Sequence, residues 1–278
     1  MIELEPLQGE IFRIRMARDL PGLRPYFTIA YLVDGLMVDS GCAHTVDELL
    51  GLLRREGLRV CTVVNTHHHE DHIAGNARLH AEHGARLLAH RLALPVLADP
   101  RRRQPQQLYR RLMWGYPAPS RAEPLEDKET VQTAHHLFRV IHTPGHSPDH
   151  ISLFEPERGW LFTGDAYVGG RDQALRADSD VWQIIDSLRK LRLLQPGLLL
   201  PGCASVNRDP DRALARKIAY LEQLGRQVLD LHQRGLRIEQ IRRRIFGWQR
   251  LFFVLTRGDF DGASLVRSFV ENQPATRR

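Results

Sequence analysis

Val60-Cys61-Thr62-Val63-Val64-Asn65-Thr66-His67-His68-His69-Glu70-Asp71-His72 is the stretch that decides the fold of this 278-residue chain. Its first half is a β-branched apolar run of buried-strand length. Its second half packs four histidines and two carboxylates into six residues. His67, His69, Asp71 and His72 offer imidazole nitrogen and carboxylate oxygen, donors that suit zinc, iron or manganese better than copper(I) or an iron–sulfur cluster. Successive residues of extended backbone point to opposite faces, so His67 and His69 face the same way. Asp71 and His72, just beyond them, are free to face a second centre. A histidine-rich surface loop is the competing reading, but such loops seldom follow an apolar strand directly.

Three later loops repeat the rule of strand followed by donor. Thr143-Pro144-Gly145-His146-Ser147-Pro148-Asp149-His150 follows the run Leu137–His142, and its Pro-Gly turn aims His146. Thr163-Gly164-Asp165 ends the run beginning at Trp160, and Leu200-Pro201-Gly202-Cys203-Ala204-Ser205 ends the run 197–201. A lone Thr-Gly-Asp is usually a turn, and a lone buried cysteine is usually a small hydrophobe. Four donor-bearing loops, each at the C-terminal end of a strand, form a pattern that chance does not readily supply.

This series, with the early Asp39 after its own strand, resembles the metallo-β-lactamase-fold superfamily over roughly residues 10–205. The Thr-Pro-Gly-His-Ser-Pro-Asp-His and Thr-Gly-Asp forms look most like the glyoxalase II-like and lactamase-β-like branch. The resemblance implies an α+β fold, a four-layer αββα sandwich with a C-terminal helical extension. It also implies that His67, His69 and His146 hold one metal, that Asp71 and His72 belong to a second, and that Asp165 bridges them. Asp39 resembles the buried aspartate that supports the histidine loop; a simple turn after a strand is the alternative. His68 and Glu70 point away from the His67–His69 face, towards surrounding residues or solvent. His150 is a candidate to line the pocket, although a hydrogen-bonded histidine opening a strand fits it better. His90, His135, His136 and His142 read as structural.

The chain departs from the family at Cys203, where most members carry Pro-Gly-His. A thiolate is a good zinc ligand but a shorter side chain, and a Zn–S bond of about 2.3 Å against about 2.0–2.1 Å for Zn–N recovers only part of the reach. Either the loop moves in and Cys203 ligates, or a water replaces it, or the second site is weak. The implied cofactor is zinc, two ions per chain, with iron or manganese as alternatives. The implied chemistry is hydrolysis in which a metal-activated hydroxide, oriented by Asp71 as the catalytic carboxylate, attacks a thioester, ester, lactone or β-lactam. Two other readings stay open: an RNA-processing phosphodiesterase of the same fold, and a non-catalytic binding or regulatory protein whose second metal site has decayed.

Composition bounds these readings. The chain is 42% hydrophobic and 26% charged, ordinary for a globular protein, and no run of eighteen apolar residues predicts a membrane helix. The N-terminus lacks the basic-then-apolar pattern of a secretory signal. Three scattered cysteines fit a reducing cytoplasm better than a disulfide framework. The net charge of +6 concentrates in residues 205–278, which hold 15 Lys and Arg against 8 Asp and Glu. A basic tail could meet nucleic acid, but its arginines interleave with apolar residues as on solvated helix faces, so a small acyl compound is the expected partner.

The expected organisation is a catalytic unit over 1–205 and a helical region over 206–278. Strands are expected at 11–15, 28–33, 36–39, 60–66, 85–89, 137–142, 151–155, 160–163 and 197–201. Helices are expected at 46–55, from the histidine cluster to about 84, and at 181–194, from 209, 237–246 and 262–272. Residues 91–130 break the pattern with six prolines and clustered arginines, and read as a substrate-facing flap or a flexible insertion, whose Tyr109, Trp114 and Tyr116 either face substrate or anchor it to the core. The apolar faces of the helices over 209–272 serve either the core or a second copy of the chain, as in a homodimer.

Overall fold

The computed structural model describes residues 1–8, 10–20, 25–247, 256 and 258–273, so parts of the C-terminal region 206–278 lie outside the described residues. In chain order the first sheet takes β1 (Ile2–Pro6), β2 (Ile11–Met16), β3 (Thr28–Val33), β4 (Leu36–Val38), β5 (Thr62–Asn65), β6 (Arg86–His90) and β7 (Glu123–Leu125), in that spatial order. β1 to β4 pair antiparallel and β4 to β7 parallel. The second sheet is built from β8 (Thr130–Gln132), β9 (Leu137–His142), β10 (Ile151–Glu155), β11 (Trp160–Gly164) and β13 (Leu198–Pro201), in the order β13-β11-β10-β9-β8. β12 (Leu175–Arg176) and β14 (Phe260–Asp261) form a small antiparallel ribbon.

Strand alternation sorts the side chains into layers. On β3, Ile29, Tyr31 and Val33 point inward with Val64 of β5 and meet Phe138, Leu153, Phe162 and Leu200 of the second sheet. Ala30 and Leu32 point outward with Val63, and are covered by Leu49, Leu50 and Leu53 of α1 (Val46–Arg55) and Leu79 of α3 (Asn76–His83). Between these two helices lies the short α2 (Glu70–Ile73). Leu161 and Leu199, on the outer face of the second sheet, are covered by α7 (Val181–Leu193), α8 (Pro210–Gln233) and α10 (Gly262–Glu271) through Ile185, Leu188, Leu221 and Phe269. The result is helix, sheet, sheet, helix, the expected four layers.

The segment 91–130 is more regular than its composition predicts. It forms α4 (Leu94–Ala98), α5 (Pro100–Arg103) and α6 (Leu108–Met113), then β7, which extends the first sheet. Each helix is shorter than the window in which apolar periodicity can be read, and prolines open two of them at positions where the missing N–H costs nothing. A further helix, α9 (Ile238–Phe246), follows α8. No helix among the described residues is long and apolar enough to cross a membrane.

Candidate metal centre

β4, β5, β9, β11 and β13 bring their C-terminal ends to one edge of the sandwich, and each expected donor lies in the segment that follows, Asp71 and His72 within α2. His67 Nε2 lies 2.8 Å from His69 Nδ1, which lies 3.0 Å from His146 Nε2. His67, His72 and Asp165 form a second convergent group that shares His67 with the first. The Asp165 carboxylate stands between the groups, with Oδ2 3.6 Å from His72 Nε2 and 3.7 Å from His146 Nε2. Asp71 Oδ2 is 3.7 Å from His72 Nε2 and accepts a hydrogen bond from Thr28 at 3.4 Å. Asp71 and the half-buried Cys203 belong to neither group. Burial and the facing Asp165 carboxylate push the Cys203 thiol well above the ordinary range.

Asp39 proves to be a hub rather than a simple turn. Its Oδ1 accepts the Thr66 N–H at 2.7 Å and its Oδ2 accepts the Thr66 hydroxyl at 2.7 Å. With its proton committed, the Thr66 hydroxyl must accept from His67 Nδ1 at 3.0 Å, which leaves the Nε2 lone pair of His67 facing the site. His72 Nδ1 donates to the same Asp39 Oδ2 at 2.8 Å, so its Nε2 also faces inward. One carboxylate thus sets the ring orientation of two donors, the usual duty of the outer shell of a metal site. Asp39 itself has φ of +61°, an uncommon backbone state for a non-glycine residue. The backbone between the donors is pinned as well, since the Ser40 N–H and the Asn65 side chain both donate to His72 O.

His150 supports the other wall. It donates from Nδ1 to Thr143 at 2.9 Å, and its Nε2 accepts the backbone N–H of Asp165 at 3.1 Å. Burial and the neighbouring His146 hold its pKa down to about 3, so it stays a neutral acceptor. Gly202 is required by crowding, because a Cβ there would sit 2.8 Å from Asp165 Oδ1 and 3.1 Å from the His72 ring.

These residues fit divalent cations on three grounds. His72 Nε2 and Asp165 Oδ1 are buried with no hydrogen-bond partner, a costly state unless something else satisfies them. Burial would lower the pKa of His72, yet Asp71, Asp39 and Asp165 raise it well above the imidazole range, so the carboxylates call for positive charge at that spot. On the other side, burial and neighbouring histidines hold His67 well below the ordinary value, and burial, together with the nearby Arg176 guanidinium, does the same for His69. Burial also brings His146 down to about 4 against the pull of Asp165. Neutral imidazoles with inward lone pairs are the form that binds metal.

His68 and Glu70 face away from the donors, as expected, and of the two surroundings left open for them each meets buried side chains rather than solvent. His68 Nδ1 lies 2.7 Å from the buried Asp149 Oδ1. Glu70 Oε1 accepts from Arg110 Nη1 at 2.7 Å, and both side chains are almost fully buried. Arg110 also reaches Asp259 Oδ2 through Nε at 2.9 Å and Nη2 at 2.6 Å, while its neighbour Tyr109 hydrogen-bonds the same oxygen. Arg110 and Asp149 escape a sequence reading because nothing in their local pattern marks burial. The insertion therefore reaches the histidine loop through a guanidinium, and Trp114 packs edge-on to Tyr26 at 5.9 Å between ring centres.

A family model of the metallo-beta-lactamase superfamily matches residues 23–203. The chain belongs to that superfamily. It is 26% identical over 203 residues to the beta-lactamase-like protein 2 homolog of Drosophila melanogaster, covering 70% of this chain and 63% of that one. It is 32% identical over 186 residues to a hydroxyacylglutathione hydrolase of Synechococcus sp., covering 63% and 62%. It is 27% identical over 196 residues to the atrochrysone carboxyl ACP thioesterase of Aspergillus fumigatus, covering 70% and 55%. The chain thus spans less than two thirds of each of these relatives. A metallo-beta-lactamase family protein from Thermus thermophilus shares the fold with a TM-score of 0.71 at 20% identity, covering 94% of this chain and 93% of that one. Superfamily membership and the convergent histidines make the chain a relative of metallo-β-lactamase-fold hydrolases with a candidate divalent-metal site.

Proposed function

We propose that the chain is a thioester hydrolase using two zinc ions, with other acyl bonds as lesser substrates. His67, His69 and His146 would hold one ion, His72 and Asp71 the other, with Asp165 between them and the Cys203 thiol beside the second as a weak, latent donor. The observation that carries this reading is the Asp165 carboxylate, 3.6 Å from His72 Nε2 and 3.7 Å from His146 Nε2, placed to serve both groups at once. Divalent cations bound there supply acidified water at neutral pH and Lewis-acid polarisation of the scissile carbonyl. The chain's own residues do the rest. Asp39 holds the lone pairs of His67 and His72 inward, His150 and Gly202 fix Asp165, and the Asp71 carboxylate can accept a hydrogen bond from the attacking water and orient it. The buried Arg176, held at Nε by Asp178 Oδ1 at 3.2 Å, sets a fixed positive charge beside His69 and His146. The choice of thioesters draws on relatives named for hydrolysis of hydroxyacylglutathione and for an ACP thioesterase. The free thiols Cys42, Cys61 and Cys203 suit a reducing, cytoplasmic setting.

The test is metal analysis of the purified chain alongside turnover of thioester, lactone, β-lactam and phosphodiester panels. Two zinc ions per chain, with thioester cleavage lost to a chelator and restored by zinc, is the expected result. Phosphodiester cleavage with RNA affinity falling steeply in salt would replace this reading with the nuclease one. Fewer than one metal per chain and no turnover would leave a binding protein.

A further inference from the structure

The loop that carries Asp165 continues into a cleft that the metal site does not use. Lys217 of α8 is buried, and its Nζ reaches Asp172 Oδ1 at 2.8 Å and Gly170 O at 3.3 Å, while Tyr220 donates to Asp172 O at 2.6 Å. These bonds pin residues 166–172 against the helix. They form one wall of a cleft of about 550 Å³ lined by Tyr167, Arg171, Asn207, Arg216, Lys217 and Tyr220. That volume lies in the range of small-molecule sites. Of the three cations that line it, Lys217 is paired with Asp172, and neither Arg171 nor Arg216 pairs with an acid among the described residues. The Arg171 guanidinium lies 5.9 Å from the Tyr220 ring centre, so a flat surface and free guanidinium donors are presented together. The cleft is joined to the candidate metal centre by the chain, since Tyr167 on its wall follows Asp165 by two residues.

We propose that this cleft holds the phosphorylated, nucleotide-like end of a thioester's leaving thiol. This rests on the thioester reading and narrows it to thiols that carry phosphate rather than to a tripeptide thiol. A guanidinium can bind phosphate with two parallel N–H bonds, and the tyrosines on the wall supply an aromatic surface beside it. A half-open cleft with two exposed arginines on its wall offers a short cationic patch to a small ligand, whereas an extended nucleic acid would need a basic stripe.

The experiment compares one acyl group carried on coenzyme A, on dephospho-coenzyme A, on glutathione and on N-acetylcysteamine, in wild type and in Arg171→Ala/Arg216→Ala. Calorimetric binding of pyrophosphate to both proteins runs in parallel. The expected result is a KM for the coenzyme A ester at least about tenfold below that of the N-acetylcysteamine ester. The double variant should raise only the phosphate-bearing KM, leave kcat unchanged, and lose pyrophosphate binding. Equal KM values across the four carriers, or pyrophosphate binding that survives the double substitution, overturns the proposal. So does tight binding of an RNA oligonucleotide that the double substitution abolishes while pyrophosphate binds neither protein. Pyrophosphate bound by wild type alone, with no thioester cleaved, would keep the anion site and sink the thioester reading instead.

Discussion

The two sides of the candidate centre are built on different physics. His67, His69 and His146 meet as neutral imidazoles whose pKa values burial holds down, and their nitrogens already converge to 2.8 and 3.0 Å. His72, Asp71 and Asp165 meet as a charged set with partnerless buried atoms, and their separations are 3.6 and 3.7 Å. The first side is organised by shape and the second by charge. A cation placed on the second side relieves carboxylate repulsion as well as filling ligand positions, so that side should depend more on its surroundings. Each side is also braced by the residue interleaved with its donors. His68 ties the first to Asp149, and Glu70 ties the second to Arg110.

The largest effect should come from His69→Ala, which removes the nitrogen common to both short contacts of the first side. Turnover should fall on the order of a thousandfold, the loss of several kcal/mol of Lewis-acid stabilisation. Metal analysis should show the first ion gone and the second retained in part. Loss of the second ion with the first intact would reverse the assignment of sides.

Arg110→Met tests the brace of the second side. It would leave the buried Glu70 and the half-buried Asp259 without their common cation, and breaking a buried pair from one partner costs about 3–5 kcal/mol. Urea unfolding should show that loss. If Glu70 positions Asp71 and His72, the surviving protein should bind one zinc ion per chain instead of two. A variant with two ions and wild-type stability would make Arg110 irrelevant to the centre.

Asp149→Asn tests the brace of the first side through acid stability. Burial alone would raise the Asp149 pKa, but His68 and Ser147 hold it down to about 2. A carboxylate depressed on folding adds stability above its unfolded value of about 3.9, and that stability disappears as pH falls from about 4 to about 2. At about 1.4 kcal/mol per pH unit, roughly 2 kcal/mol is at stake. Denaturation curves at pH 6 and pH 2 should therefore converge in the variant by about that amount relative to wild type. An unchanged pH dependence would mean that the His68–Asp149 contact contributes nothing to folding.

The same contrast explains what could be read in advance. The donors were legible because each follows an apolar strand, and the layers because strand alternation and the leucines of α1 repeat at their own periods. The support was not. Arg110 sits in a six-residue helix among prolines, where an arginine looks like a solvated residue, and its burial depends on Glu70 and Asp259, 40 and 149 positions away. Asp149 lies inside a quoted motif, yet only the fold brings His68 to it. The Asp39 role was half visible: its place after a strand suggested support, but the hydroxyl relay through Thr66 to His67 needs coordinates.

The smallest effect should follow Cys203→Ala, and its smallness is informative. If the thiol were a ligand, its removal would strip the second side of a donor, and a change comparable to loss of an outer-shell partner, about 10–100-fold in metal affinity, would be the minimum. The geometry argues for less. Cys203 lies outside both convergent groups, and burial with the facing Asp165 carboxylate disfavours the thiolate that zinc requires. A bound cation would reverse that second influence by neutralising Asp165, so the thiol is a latent donor that becomes available only once His72 and Asp165 have captured an ion. Cys203→Ala should then weaken the second ion by less than about tenfold at neutral pH and leave the first untouched, while Cys203→His, with its longer reach, should tighten the second. A weakening beyond a hundredfold would show that the thiolate is a full ligand and that the charged side is completed by Cys203 after all.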